Sequence, residues 1–184
     1  MKIAIGCDHI ATVMKDELVK ILKTKKYEVL DAGTYDSTKT HYPIYGFEVG
    51  RLVAKKHADL GIVLCGTGVG ITNAANKTKG VRCALVKDTT STIVAKREYN
   101  ANVIGVGVRI IGMGLIEEIV DTFINEQYLG ENKEIINEID NAIKNDNYDI
   151  HQFDSIIKDW ENGKYNDGTK QDKVPLPKTW KTYK

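Results

Sequence analysis

The stretch GIVLCGTGVGI, residues 61–71, contains the pattern that decides the fold. An apolar run of strand-forming residues ends in a cysteine, and three alternate glycines then lead into a segment of helical character. Glycines at such a point let the backbone turn tightly and approach a ligand closely. The stretch therefore predicts a buried β-strand, a glycine-rich turn and the start of a helix.

The same alternation of strands and helices continues on both sides of this stretch. Short apolar runs at KIAIGC, YEVLDAG, DLGIVLC, VRCALV and ANVIGVG alternate with segments of helical period such as ATVMKDELVKILKTK and TTSTIVAKREY. This alternation is typical of parallel strands joined by helices. We predict an α/β domain over residues 1–149: a doubly wound, five-stranded parallel sheet of Rossmann-like type, with helices on both faces.

The chain changes in character after residue 149. HQFDSIIKDWENGKY has room for one short helix, whereas NDGTKQDKVPLPKTWKTYK is polar, holds two of the three prolines and lacks a helical period. We therefore predict a C-terminal helical extension over residues 150–184, in which a short helix is followed by an extended or disordered tail.

The composition excludes several classes of partner. The formal net charge is +1 and the basic residues are spread along the chain, which disfavours binding to nucleic acid or anionic lipid. The three cysteines, Cys7, Cys65 and Cys83, are far apart, so we expect reduced thiols in a cytoplasm and no zinc site. No apolar stretch approaches the ~18 residues that span a membrane. A small-molecule partner is favoured.

Polar residues follow the carboxyl ends of several predicted strands. Ligands of open parallel sheets bind at this edge, and side chains that follow different strands can face one crevice there. The candidate site residues are Cys7, Asp8 and His9 after the first strand, Cys65, Gly66, Thr67, Gly68 and Gly70 after the third, and Arg109 after the fifth.

The glycines at positions 66, 68 and 70 predict a backbone cradle for an anion. The first N–H groups of a helix point at negative charge, so the anion is either a phosphate or an oxyanion that forms during a reaction. The spacing of the glycines does not distinguish a phosphate from such an oxyanion. Binding of a dinucleotide is disfavoured, because its glycine fingerprint belongs after the first strand, which here ends in CDH.

Cys65 has two interpretations. An intracellular cysteine is commonly a small buried apolar residue. A thiol just before a helix N-terminus, however, is favoured as the thiolate, which can act as a general base. Cys83 lies within a strand and is expected to be inert, whereas Cys7 is expected to line the pocket.

The remaining candidates carry oxygen, imidazole or guanidinium groups. Asp8 is expected to position a hydroxyl group or assist proton transfer, and His9 to bind a phosphate, although both can be parts of a polar turn. His41 is either a wall of the pocket or a surface histidine, with the second favoured. Arg109 is the better candidate for binding phosphate, because it follows the carboxyl end of a strand.

The motifs together resemble a known family. GCDH at 6–9, DAGTYD at 31–36, THYP at 40–43, CGTGVGI at 65–71, NAANK at 73–77 and GVR at 80–82 are similar to ribose-5-phosphate isomerase B and galactose-6-phosphate isomerase. The match runs in order over most of residues 1–145. THYPIYG, ALVKDTT, NANVIG and NDNYDIHQFD most resemble the B-subunit branch of the galactose-6-phosphate isomerases.

The resemblance implies aldose–ketose isomerisation of a phosphorylated sugar through an enediolate, without a metal or organic cofactor. In that chemistry Cys65 would move a proton between C1 and C2, and Thr67 would help to transfer hydrogen between the two sugar oxygens. The developing negative charge would rest on the N–H groups of residues 66–70. His9 would contact the phosphate or help to open the sugar ring.

Three positions depart from the family pattern. Self-sufficient members carry a ring-opening histidine where this chain has Glu98, and two phosphate-binding arginines where it has Asn132 and Ile136. Active sites of the family lie between two subunits. The resemblance therefore implies that this chain supplies the thiol half of a site and that a related chain supplies the histidine and arginines.

Two alternatives remain. The chain is a self-sufficient homo-oligomeric ribose-5-phosphate isomerase that uses His9 or His41 as its acid, or it is a non-catalytic sugar-phosphate-binding subunit. Hexose and pentose phosphates differ by one carbon, so the sequence alone leaves the substrate open.

Overall fold

A computed structural model describes residues 1–142, 149–164 and 174–183 of the chain. The five strands are β1 (Lys2–Cys7), β2 (Glu28–Asp31), β3 (Leu60–Cys65), β4 (Cys83–Leu85) and β5 (Val103–Gly107). The helices are α1 (Thr12–Thr24), α2 (Tyr42–Ala54), α3 (Val69–Ala75), α4 (Thr89–Arg97), α5 (Met113–Asn125), α6 (Lys133–Ala142), α7 (Asp154–Glu161) and the single turn α8 (Thr179–Thr182). A 3₁₀ turn, Ile150–Phe153, precedes α7.

The strands form one parallel sheet in the order β2-β1-β3-β5-β4. One hydrophobic cluster, under α2 and α3, covers one face of the sheet, and a second cluster, under α1, α4 and α5, covers the other. All six residues of β3 are buried, as expected of a central strand covered on both faces. The predicted fold class is confirmed.

The helical period of α5 predicts a stripe of Leu115, Ile116, Ile119, Val120 and Phe123 on the face that packs on the sheet. The last four are buried there, as is Ile124, whereas Leu115 is only half-buried at the margin of the same cluster. The buried face of the helix is therefore shifted from Leu115 toward Ile124.

The strand order puts a topological switch point between β1 and β3, where open parallel sheets form the crevice that binds ligands. The chain leaves β1 toward β2 on one side and later returns to β3 on the other, and Cys7 pairs with Leu64 in the last register position between the two strands. Connections that leave neighbouring strands in opposite directions open a cleft at the carboxyl ends. The candidate residues of β1 and β3 lie at this cleft.

A buried ion pair lies on α2. Arg51 donates to Glu48 through Nε at 2.7 Å and Nη2 at 2.9 Å, and both side chains are almost completely buried. Thr179 of α8 donates its hydroxyl to the same carboxylate at 2.6 Å. A buried pair needs such additional hydrogen bonds, because desolvation of two charges is costly.

The structure describes part of the predicted C-terminal tail. Residues 174–183 lie against the α/β domain and end in the turn α8, with Val174 and Thr179 buried. Residues 143–148, residues 165–173, which include most of the predicted tail, and Lys184 lie outside the described residues. No helix in the described ranges is long and apolar enough to cross a membrane.

Candidate active site

The turn after β3 is shaped by a glycine in a left-handed conformation. Gly68 has φ 79° and precedes α3. A Cβ atom at this position would lie 2.6 Å from Leu85 Cδ1 and 2.8 Å from the carbonyl carbon of Val106. The turn therefore packs directly on the neighbouring strand β5, and residue 68 must be glycine for both steric and conformational reasons.

Cys65 lies at the start of this turn. Its side chain is 5% exposed, and its Sγ atom accepts a hydrogen bond from the N–H of Gly68 over 3.1 Å. Thr67 is exposed beside it. The sulfur, the Thr67 hydroxyl and the backbone of residues 66–70 thus form one local unit, which we call the thiol loop.

The other two cysteines are poor candidates for a base. Burial raises the pKa of the Cys7 thiol and that of the Cys83 thiol to about 12. Both groups are therefore protonated near neutral pH and cannot accept a proton. Cys83 lies in the core as predicted, whereas Cys7, expected to line the pocket, is fully buried and has no exposed surface for a ligand to contact.

Asp8 and His9 follow β1 on the opposite side of the crevice. Burial raises the pKa of the Asp8 carboxyl, against the opposing effect of the Ile10 N–H, which donates to Asp8 Oδ1 at 3.0 Å. The Nδ1 atom of His9 accepts a hydrogen bond from the N–H of Thr40 over 3.2 Å. In the neutral ring the proton is then on Nε2, so this atom is the one that can donate to a ligand.

Arg109 lies over the thiol loop. Its backbone N–H donates to the carbonyl of Gly66 at 3.0 Å. A Cβ atom on Gly66 would lie 3.5 Å from the side-chain Cδ of Arg109 and 3.8 Å from its Nε. The charge of Arg109 also lowers the pKa of Asp8, against the larger effect of burial. The structure therefore brings Arg109 together with Cys65 and Asp8, the residues at the ends of three different strands.

Two aromatic side chains beside the site, Tyr42 and Trp160, were not singled out from the sequence. A Cβ atom on Gly70 would lie 2.8 Å from the ring of Tyr42, which therefore covers the end of the thiol loop. His41, expected at the surface, is half-buried, stacks on Trp160 with ring centroids 5.0 Å apart, and meets Tyr42 edge-on at 5.2 Å. Only the neighbouring motif THYP pointed to this place in the sequence.

The three positions that depart from the family pattern lie together at the end of α4 and the start of α6. Asn132 donates through Nδ2 to the carbonyl of Glu98 at 3.3 Å, and Ile136 is buried. The nearby Arg82 is engaged by Asp140, at 2.7 Å, and by the carbonyl of Asn100. Residues 98, 132 and 136 themselves bring no positive charge that could bind a phosphate.

Comparison with known proteins gives a consistent result. The family model "Ribose/Galactose Isomerase" matches residues 3–139. Galactose-6-phosphate isomerase subunit LacB of Clostridium acetobutylicum is 51% identical over 170 residues, which cover 90% of this chain and 98% of that one. Ribose-5-phosphate isomerase B of Escherichia coli is 41% identical over 129 residues, or 70% of this chain and 87% of that one.

Among solved structures, ribose-5-phosphate isomerase B of Clostridium thermocellum matches with a TM-score of 0.76 and 36% identity. The match covers 78% of this chain and 98% of that one. These relatives are named as sugar-phosphate isomerases, and the matched region contains all the candidate residues at the strand ends. The chain therefore belongs to the ribose/galactose isomerase family.

Proposed function

We propose that this sugar-phosphate isomerase chain is the thiol-bearing subunit of a galactose-6-phosphate isomerase, which interconverts galactose 6-phosphate and tagatose 6-phosphate. The observation that carries the proposal is the contact between Cys65 Sγ and the Gly68 N–H at 3.1 Å, which joins a candidate base to an oxyanion cradle. The 51% identity to a LacB subunit supports the choice of the hexose phosphate.

The proposed reaction is a proton transfer through an enediolate. Cys65, as the thiolate, removes the proton from C2 of the open-chain aldose, and the electron pair of that C–H bond forms the C1–C2 double bond. The charge that develops on O1 is stabilised by N–H groups of the thiol loop. Thr67 passes the hydrogen of O2 to O1, and the Cys65 thiol returns its proton to C1, which yields the ketose.

Other residues of the crevice bind the sugar. The buried Asp8 carboxyl orients a hydroxyl group, and the Nε2–H of His9 donates to an oxygen of the substrate. Arg109 lies over Gly66 and attracts the anionic substrate. The position of each group at the carboxyl ends of the strands supports its proposed role.

A second, related chain of the same family supplies what this chain lacks. Opening of the hexose ring needs an acid and binding of the phosphate needs cations, and neither is offered by Glu98, Asn132 and Ile136. The proposed enzyme is therefore a hetero-oligomer whose sites lie between two kinds of chain. We place it in the cytoplasm, where thiols stay reduced; the three cysteines are free in the structure.

The test is an assay of the chain alone and of the complex co-expressed with its paralogue. Tagatose 6-phosphate and ribulose 5-phosphate are the two substrates. We expect activity on tagatose 6-phosphate in the complex and little in the single chain. Comparable activity of the purified single chain would contradict a site shared between two chains. Activity on ribulose 5-phosphate but not on tagatose 6-phosphate would contradict a hexose phosphate as the substrate.

One observation favours a second candidate, a self-sufficient ribose-5-phosphate isomerase. The N–H of Thr40 holds His9 in the tautomer whose Nε2 carries the proton, so His9 can act as an acid within this chain. In that case the purified homo-oligomer would isomerise ribulose 5-phosphate, and His9→Gln would abolish the activity.

A further inference from the structure

The C-terminal part of the chain lies beyond the family model, which ends at residue 139. Its described residues, 149–164 and 174–183, are called here the extension. Phe153, Ile157, Trp160 and Val174 of the extension join the hydrophobic cluster under α2, and Phe153 meets Phe47 of α2 edge-on with ring centroids 5.0 Å apart. The extension is therefore part of the folded domain.

The extension also contacts the connection between β2 and α2, residues 32–41, through polar groups. Trp160 Nε1 donates to the carbonyl of Lys39 at 3.3 Å, and the N–H of Lys178 donates to the hydroxyl of Tyr35 at 2.8 Å. The ammonium group of Lys178 lies 4.1 Å from the centroid of the same ring. Contacts at both ends thus hold this connection, which has no regular secondary structure.

The same connection contacts the candidate active site at two points. The N–H of Thr40 donates to Nδ1 of His9, and the Thr40 hydroxyl lies 3.0 Å from the hydroxyl of Tyr45. The Tyr45 hydroxyl in turn donates to the carbonyl of Pro175 in the extension. Thr40 is 3% exposed and is thus enclosed between the site and the extension.

The second contact is aromatic. His41 stacks on Trp160 with an interplanar angle of 18° and meets the edge of Tyr42, whose ring covers Gly70 of the thiol loop. Trp160 is 7% exposed, so this stack is packed on the side away from the site as well. Trp160 therefore contacts the two residues that flank Thr40. It binds the carbonyl of Lys39 and stacks on His41, which in turn contacts Tyr42.

We propose that Trp160 is a positioning residue for the active site. It fixes residues 39–42, so that Thr40 keeps His9 in its Nε2–H tautomer and Tyr42 stays over the thiol loop. The effect on the isomerase reaction rests on the proposed function, whereas the effect on residues 34–41 and on His9 does not. Side chains of an active site need such support to stay in one geometry.

The experiment compares three variants of the full chain. Trp160→Ala removes the ring, Trp160→Phe keeps a ring against His41 but loses the Nε1–H donor, and Ser155→Ala changes an exposed residue of the same helix as a control. Hydrogen exchange of residues 34–41 and of β5 is measured, together with the ¹⁵N shifts of His9. Neither measurement needs a substrate.

We expect Trp160→Ala to raise exchange of the Thr40 amide about tenfold, the equivalent of one hydrogen bond, with β5 unchanged. The ¹⁵N shifts of His9 should then show a mixture of both tautomers, and Trp160→Phe should give an intermediate result. Equal exchange in residues 34–41 of the variant and the wild type would overturn the proposal, as would a uniform rise that includes β5. If Trp160→Ala does not fold, the Trp160→Phe variant decides by the same criteria.

The catalytic consequence is measured separately in the complex with the paralogue. We expect kcat/KM to fall about tenfold in Trp160→Ala and to stay unchanged in Ser155→Ala. Absence of isomerase activity in every sample, with the expected exchange result, would contradict the proposed function and leave the positioning role supported. Full activity of Trp160→Ala would contradict the positioning role alone.

Discussion

The N–H of Gly68 donates a hydrogen bond to the Sγ atom of Cys65 over 3.1 Å. The donor belongs to the residue whose left-handed conformation shapes the thiol loop, so the sulfur and the loop cannot move independently. In the proposed reaction these two groups are the base and the oxyanion cradle, and groups held together in this way need little reorganisation when charge moves from one to the other. Changes to either partner should therefore affect both.

Replacement of Cys65 by serine should lower kcat by about 10²–10⁴, because a hydroxyl is a far weaker base than a thiolate. Cys83→Ala is the matched control, since Cys83 is buried in the core and protonated. Steady-state kinetics of the complex measure the effect. Alkylation by iodoacetamide is the second measurement: a Cys65 that does not react, or that substrate does not protect, favours the non-catalytic binding subunit.

Gly68→Ala should destabilise the fold by roughly 1–3 kcal/mol or more, because it places a Cβ in a left-handed conformation and against Leu85 and Val106. Gly112→Ala is the control: its φ is −81°, and no atom lies within 4 Å of the added Cβ. Urea unfolding gives both values. Equal midpoints for the two variants would show that the turn tolerates a side chain.

Arg109→Ala should raise KM for the sugar phosphate about tenfold or more, with a smaller change in kcat, because it removes a charge that attracts the substrate. Lys25→Ala serves as the control for loss of one positive charge, since Lys25 pairs with Asp121 and Glu117 in another part of the surface. A change confined to kcat would instead assign Arg109 to the chemical step.

Asp8→Asn should stabilise the fold at neutral pH. Burial raises the pKa of Asp8 above that of the unfolded chain, about 3.9, so the native state binds the proton more tightly. The unfolding free energy then falls as pH rises through the interval between the two pKa values, and the variant lacks this loss. Unfolding curves from pH 3 to 8 measure the difference, while activity should decrease.

Glu98→His tests whether the acid alone is missing. If the site is shared between two chains, the purified Glu98→His chain should remain inactive by itself, because Asn132 and Ile136 still offer no positive charge for the phosphate. Isomerisation of ribulose 5-phosphate by the purified variant, above the level of the unchanged chain, would favour the self-sufficient enzyme. The carbonyl of Glu98 already accepts from Asn132, so the backbone there is held in either case.

The sequence predicts the fold well because its signals are local. The central strand β3 and the helix α5 follow from apolar runs and a helical period, and the glycines at 66–70 predict the turn. The sequence also predicts that the candidate residues lie close together, since polar groups after parallel strands share one edge of the sheet. Arg109 beside Gly66 is an example of such a contact that the structure shows.

The aromatic surroundings of the site could not be predicted in the same way. Trp160 and Lys39 are 121 positions apart, and the sequence around Trp160 resembles that of any short amphipathic helix. The position of Tyr42 over Gly70 likewise depends on how α2 packs against α3. Such contacts follow from the assembled tertiary structure and leave no periodic pattern in the chain.

The buried pair of Glu48 and Arg51 has a consequence for biosynthesis. The hydroxyl that completes the hydrogen bonding of Glu48 belongs to Thr179, 131 positions further along the chain. During synthesis from the N-terminus, α2 leaves the ribosome long before Thr179 is added, so the charged pair lacks this partner while the sheet is still being made. This face of the molecule is therefore completed only after Thr179 has left the ribosome.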